Sequence, residues 1–377
     1  MQYGERLARV RTAMEQQGID LLFLSPSANM QYLTGIHRER PHYGNIQYPG
    51  GWVNGVLIGR EKGPIVVAPR MVADYDLPGG VSLEVRSLPD AGDPIAFMRQ
   101  ALAEIGQVRQ VAIENRAWAE SMLHLRTLLP DARWSLASDL LAPLRRIKDE
   151  DEIAVMRHAA HLADQVLTAV VPQLKVGMSE RDVVLEVDAQ MVKLGAEGPS
   201  FTTNIFTIGP GEARELREKA GRRVMAPGLS LSFDFGCVYE GYCSDFGRTI
   251  HFGEPTAEFR RAYDAVIGAH DAAIAQMKSG VITAERANAI ARAVIDDAGF
   301  GEHFRHRLGH GIGLDVHEGP FLTAGDTTVL TTGMAFTVEP SVFWIGHIGA
   351  RIEDVVIVRP EGGEVLNRAS SVLEVVA

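Results

Sequence analysis

The chain has 377 residues, 46% of them hydrophobic, and its 48 Asp and Glu outweigh 37 Lys and Arg to leave a formal net charge of −11. That length exceeds one ordinary core and suits a two-domain α/β enzyme. The acidity excludes a nucleic-acid partner, which needs a basic face to displace phosphate counterions. No apolar run approaches the ~20 residues of a membrane span, and the charged start MQYGERLARVRTAMEQQ is not signal-like. The expected setting is the cytoplasm, and the expected substrate is small or peptide-like.

Residues 4–17 carry apolar positions at helical spacing. LLFL, GVLI, PIVVAP, LEVRSL and QVAIE read as strands, with helices at 93–105 and 117–129, separated by clusters of Pro, Gly, Asn and Asp. Such alternation implies a mixed or parallel sheet covered by helices. Between Ile36 and Val53 the run HRERPHYGNIQYPGGW is neither periodic nor apolar. It is either a solvated loop or one that reaches over an active site.

At LLAPLRRIKDEDEIAVMRHAA a proline precedes the charged start of a long helix, which places a domain boundary between 143 and 144. Asp149, Glu150, Asp151 and Glu152 suit the positive end of that helix dipole. Helices are expected at 150–171 and 179–194, then the strand FTTNIFTI, a hairpin over 229–252, helices at 256–277 and 283–298, and strands near 334–340 and 350–358. Two helices followed by β-structure thus occur twice, as a weak internal duplication would produce.

Five side chains with metal-ligand chemistry follow in order: Asp234 in SFDFG, Asp245 in YCSDFGRT, His310 in RLGHGIG, Glu339 in TVEPS and Glu353 in RIEDVV. Four carboxylates and one imidazole brought together are tolerable only around cations. The hairpin alternates and breaks at Tyr239-Glu240-Gly241, so Asp234 and Asp245 lie opposite or diagonal on one face, about 4.5–8 Å apart at Cβ. A Glu facing inward among Val, Ile and Phe is costly without a partner. Arg351 shares a strand face with Glu353 and either orients the carboxylates or forms a simple salt bridge. His306 and His317 flank His310, so one imidazole can ligate and two can donate protons or hydrogen bonds. Cys237 and Cys243 do not make a secreted disulfide pattern. They read as small reduced thiols, thiolate ligation fitting poorly beside hard carboxylates.

At SDFGRT, GHGIGLDVHEGP, VEPS and RIEDVV, with NMQYLTG and RRIKDEDEIAVMRHA upstream, the chain resembles the creatinase/prolidase/methionine aminopeptidase superfamily. These are M24-type metallopeptidases of the pita-bread fold. The resemblance implies an α+β chain, with a creatinase/prolidase-like α/β domain at 1–143 and a pita-bread catalytic domain at 144–377. It implies two divalent ions held by Asp234, Asp245, His310, Glu339 and Glu353, with Asp245 and Glu353 bridging. Manganese comes first among the metals, with cobalt, zinc or iron as alternatives, and the two-domain members are commonly homodimers. Glu339 becomes the general base and acid, His317 and His306 bind substrate and steady the oxyanion, and Arg351 joins the substrate-binding set.

One departure concerns substrate. Proline-specific members carry a further histidine between the first strand and the hairpin, where this chain has TIGPGEARELREKAGRRV with no His. Glu212, Arg214, Glu215, Arg217 and Glu218 offer a different recognition surface, or a solvated face. The leading expectation is an Xaa-Pro aminopeptidase or dipeptidase. The alternatives are a non-peptide C–N hydrolase like ectoine hydrolase or creatinase, a metal-dependent C–S lyase, and a non-catalytic binding module.

Overall fold

The computed structural model describes residues 3–38, 48–77, 83–210 and 223–377. By internal contacts the chain divides into two units, Met1–Arg145 and Arg146–Ala377. Among the described residues no helix is long and apolar enough to cross a membrane.

In the first unit, helix α1 (Tyr3–Gln17) leads into strand β1 (Leu21–Leu24) and α2 (Ala28–Thr34). Then follow β2 (Gly55–Gly59), β3 (Ile65–Pro69), α3 (Arg70–Tyr75), β4 (Glu84–Leu88), α4 (Pro94–Ile105), β5 (Gln110–Ile113), α5 (Ala119–Leu128), β6 (Arg133–Leu136) and α6 (Ala137–Arg146). The strands form one mixed sheet in the order β4-β3-β2-β1-β5-β6. All of β1, β2 and β3 is buried. Both faces of these strands are covered, which is why they read as unbroken apolar runs instead of alternating ones.

Helices α2, α3 and α6 and strand β6 are not among the expected elements, the expected boundary at 143/144 falls inside α6, and the loop over 36–53 also differs. Helix α2 gives no amphipathic signal because each of its residues is buried, although Ser27 caps its start and Gly35, at φ 73, ends it. The expected loop between Ile36 and Val53 closes on a short 3₁₀ turn whose Trp52 and Val53 are core residues, packed with Phe23 and Leu57. Residues 39–47 of that run lie outside the described residues.

The second unit opens on α7 (Glu150–Val170) and α8 (Glu180–Lys193), started by the capping boxes Asp149/Glu152 and Ser179/Asp182. Next come β7 (Gly198–Pro199), β8 (Asn204–Ile208), β9 (Ser230–Asp234), β10 (Cys237–Tyr239), β11 (Tyr242–Cys243) and β12 (Thr249–Phe252), then α9 (Ala257–Gln276) and α10 (Ala284–Asp297). The chain continues through β13 (Gly309–Gly311), β14 (Glu318–Leu322), β15 (Ala335–Val338), β16 (Ser341–Trp344), β17 (Ile348–Arg351), β18 (Asp354–Val358), β19 (Gly363–Val365) and β20 (Glu374–Val376). The larger sheets are ordered β20-β12-β9-β8 and β14-β13-β15-β18-β19. Helices segregated from largely antiparallel strands make this unit α+β.

Its core lies between helix pairs and strands: Val166, Val183 and Val187 pack with Phe233, Phe235 and Phe246, while Val266, Ala269 and Ala291 pack with Phe336, Val338 and Val356. The strand expected over 350–358 is broken at Ile352–Glu353. β17 pairs with β16 and β18 with β15, so the chain changes sheets between them, and Glu353 bridges to Gly247 instead.

Candidate metal centre

The hairpin keeps one register along its length. Thr249 pairs with Ser232, Phe246 bridges Phe235, and Tyr242 pairs with Tyr239. Counting along it sets Gly247 opposite Asp234 and Gly236 opposite Asp245, so the two aspartates are diagonal neighbours on one face. Glu240 and Gly241 make the turn at φ 46 and 75, the positive pair that a two-residue hairpin loop requires. The facing glycines leave the face clear: a Cβ on Gly236 would stand 1.8 Å from Ser244 O, and one on Gly247 3.0 Å from Glu353 Cβ.

The other arms come from the second strand group. His310 lies in β13, where a Cβ on Gly309 would fall 1.9 Å from Thr337 O, so only glycine lets β13 approach β15 so closely. Glu339 follows β15 and is pinned by its N–H donating to Leu308 O at 2.8 Å. Glu353 exchanges two backbone hydrogen bonds with Gly247, at 3.1 and 2.9 Å. Asp245, His310 and Glu353 thereby bring one ligand atom each within 4.8 Å of one another.

Arg351 joins the remaining carboxylates to this trio. Its Nη1 lies 2.7 Å from Asp234 Oδ2 and 3.8 Å from Glu353 Oε2, and its Nη2 lies 3.5 Å from Glu339 Oε2. Burial works against the guanidinium, but the carboxylates, Asp234 foremost, outweigh it and hold the charge more firmly than usual. It is thus both a salt bridge and an orienting group.

Burial, then the neighbouring Asp234 for one and Asp245 for the other, pushes the Asp245 and Glu353 carboxyls well above their usual range. Burial raises Glu339 to about 7, against the pull of Arg351 and His310. Asp245 Oδ1 and Glu353 Oε2 are buried with no hydrogen-bond partner among the described residues. His310 Nδ1 sits 3.1 Å from Gly311 O, so it carries the proton and donates. That leaves the Nε2 lone pair 3.4 Å from Asp245 Oδ2 and 3.6 Å from Glu339 Oε1. Acceptors face acceptors, an arrangement that a divalent cation resolves, and a ligating His commonly gives its other N–H to a carbonyl in this way. Oxygen-rich donors with one imidazole fit Mn, Fe, Co or Zn.

The flanking histidines take different places. The His317 ring stands edge-on to His310, centroids 4.0 Å apart, and burial followed by His310 lowers it to about 4. His306 has both nitrogens engaged within the protein, Nδ1 donating to Arg307 O at 2.7 Å and Nε2 lying 2.6 Å from Ser341 Oγ. Cys237 and Cys243 are buried and form no disulfide, and burial pushes the Cys237 thiol up to about 12. The charged run Glu212, Arg214, Glu215, Arg217 and Glu218 lies outside the described residues.

Arg248 escaped the sequence reading. Buried beside the hairpin, it donates from Nη1 to Gly247 O and Glu353 O at 2.8 and 3.0 Å, and from Nη2 to Asp354 Oδ1 at 2.8 Å. The available signal was a lone Arg at the start of the apolar strand TIHF, where an unpaired charge is not tolerated.

Residues 154–360 match the model of metallopeptidase family M24, and residues 6–147 match the creatinase/prolidase N-terminal domain. A Staphylococcus aureus (strain MSSA476) protein, named as an uncharacterized peptidase, is 31% identical over 364 residues, covering 96% of this chain and 98% of that one. Among solved structures, a prolidase from Thermococcus sibiricus superposes with a TM-score of 0.88 at 28% identity, covering all of both chains. An Xaa-Pro dipeptidase from Bacillus anthracis superposes at 0.85 with 30% identity, covering 99% of this chain and 100% of that one. The chain belongs to metallopeptidase family M24, an enzyme family that works with divalent metal ions, and it carries the creatinase/prolidase N-terminal domain in front of the peptidase domain.

Proposed function

We propose that this chain is a two-metal peptidase of the Xaa-Pro aminopeptidase or dipeptidase type, acting on short peptides. The observation that carries the reading is the convergence of Asp245, His310 and Glu353, with buried carboxylate oxygens that have no hydrogen-bond donor among the described residues. The names of its relatives, dipeptidase and prolidase, support the substrate class. Asp234 and Glu339 would complete the set of residues that hold the ions together with Asp245, His310 and Glu353. Manganese is the first candidate, ahead of cobalt, zinc or iron. A cytoplasmic homodimer, with domains at 1–143 and 144–377, completes the proposal.

Two divalent ions in such a set polarise a scissile carbonyl and acidify water. Around them the side chains divide the work. Glu339, whose carboxyl burial brings to about 7, takes the proton of the attacking water and returns it to the leaving nitrogen. His317, beside His310, donates to the carbonyl oxygen as charge develops there. Arg351 keeps Asp234 and Glu339 oriented and stays in the proposed substrate-binding set.

Metal analysis of the purified protein, followed by assay on Xaa-Pro dipeptides, longer Xaa-Pro peptides and a cyclic amidine, tests this. The expected result is bound divalent metal and cleavage of an Xaa-Pro bond. A second reading, a non-peptide C–N hydrolase, is favoured by one observation: TIGPGEARELREKAGRRV contains no histidine. Turnover of the amidine with every peptide inert establishes that second reading. No bound metal, and no activity after Mn²⁺ or Co²⁺ is added, overturns both.

A further inference from the structure

The run RRIKDEDEI does more than start a helix: it delivers a buried cation. Lys148 Nζ lies 3.1 Å from Glu318 Oε2, with side chains only 3% and 10% exposed. Two charges taken out of water are compensated only by close pairing and further hydrogen bonds. The pairing is close, and the Glu318 carboxylate has a further donor, since its Oε1 accepts from Asp315 N at 3.1 Å. The Lys148 backbone N–H donates to Gly333 O at 2.9 Å, which fixes the main chain from which the side chain enters.

The pair sits at the base of one segment. Residues 312–317 leave β13 after Gly311 and return at Glu318, which pairs with Gly311 across the base. Gly313 makes room for the ion pair: a Cβ there would stand 2.9 Å from Lys148 Cε and 3.0 Å from Glu318 Oε1. On its other side Gly313 O accepts from Cys243 N of the metal hairpin at 2.8 Å. His317, adjacent in sequence to Glu318, is the residue this segment carries to the edge of His310.

We propose that Lys148 and Glu318 are positioning residues for the hydrolysis, acting through His317: their buried pairing holds the 312–317 segment in the conformation that sets His317 against His310. The proposal rests on the task assigned to His317 above. Lys148 is too buried to meet substrate, so its effect is indirect. An indirect effect of this kind follows His317 into the transition state, and so falls on kcat more than on KM.

Lys148→Met keeps the apolar stem and removes the charge, while Glu318→Gln keeps the acceptor for Asp315. Each full-length, metal-loaded variant is expected to lose about 10–100-fold in kcat on an Xaa-Pro dipeptide. In a His317→Ala background the same changes are expected to cost less than about threefold, because the residue they act on is gone. Amide hydrogen exchange is expected to accelerate across 312–318 in both variants and stay unchanged across 335–338. Equal losses in the parent and the His317→Ala background, or unchanged exchange across 312–318, overturn the proposal. If the metal-loaded parent is inert on every substrate, the functional reading falls by itself, and the exchange measurement still decides whether the pair holds the segment.

Discussion

Both units bury carboxylates, and Glu114 of the first is held differently from Asp245 and Glu353 of the second. Glu114, just after β5, is 5% exposed and richly supplied with donors. Ser27 Oγ donates to it at 2.7 Å, Asn29 Nδ2 reaches both of its oxygens at 3.1 and 3.2 Å, and the Asn115 N–H donates at 3.1 Å. Asn29 is itself oriented by Arg145 Nη1 at 2.7 Å. Asp245 and Glu353 are as deeply buried, yet each keeps an oxygen with no hydrogen-bond donor among the described residues, the Arg351 guanidinium reaching Glu353 Oε2 only at 3.8 Å. Burial alone therefore does not mark a cation site. Burial with the donors left out does, because an ionised group so placed has only a cation to turn to.

The largest expected effect sharpens that contrast. Glu353→Gln or Asp245→Asn is expected to lower activity on the order of 10³-fold by weakening the proposed metal site, measured at saturating metal. In chelator-stripped protein the same changes are expected to stabilise the fold, since burial and the neighbouring carboxylates outweigh the pull of Arg351 on these two groups. The sign of the pH dependence follows from linkage: folded carboxyls held above their unfolded values bind more protons in the native state. Stability of the stripped protein therefore falls as pH rises through the ordinary carboxylate range toward Glu339's value of about 7. Adding Mn²⁺ competes with those protons and raises the melting temperature most at the upper end. Thermal melts from pH 5 to 8, with and without metal, check this, and a flat profile in stripped protein breaks the contrast.

Arg351→Met comes next in size. In stripped protein it leaves Asp234 without its 2.7 Å partner, at a cost of about 3–5 kcal/mol. The cost is expected to shrink once metal is bound. Glu114→Gln is the counterpart in the first unit, costing about 1–3 kcal/mol through mismatched donors. Its loss is expected to be the same with and without metal, with kcat within about twofold of the parent. Denaturant titrations of both variants in both metal states compare them directly, and a metal-dependent cost at Glu114 contradicts the distinction.

Much of this was written locally in the chain. Covered strands such as LLFL and GVLI declared themselves as apolar runs, and Asp149 and Ser179 announced helix starts through their partners three residues on. The hairpin and its turn were visible, and with them the shared face of Asp234 and Asp245, while the choice between opposite and diagonal came from the pairing. What stayed hidden depended on distance or on missing contrast. Arg248 meets Glu353 O across 105 residues and Lys148 meets Glu318 across 170, separations that local pattern does not encode. Helix α2 lacked a polar face to reveal its period. Glu353 looked like part of one strand because β-branched Ile352 and residues 355–358 flank it without a turn residue, whereas its bridge to Gly247 ends that strand and starts another.

Cys237 shows a third way to bury an ionisable group, and gives the smallest expected effect. Its thiol, pushed up to about 12 by burial, stays neutral, so it needs neither the donors of Glu114 nor a cation. Native protein at pH 8 is accordingly expected to leave Cys237 unmodified by iodoacetamide, with or without metal, and to expose it only on denaturation. The same logic separates the hard-ligand site from a thiolate one. Loading with Co²⁺ is expected to give no thiolate-to-metal charge-transfer band, and its appearance would mean that a hairpin cysteine had lost its proton to the metal, displacing the oxygen-and-imidazole set as the explanation of the buried charges.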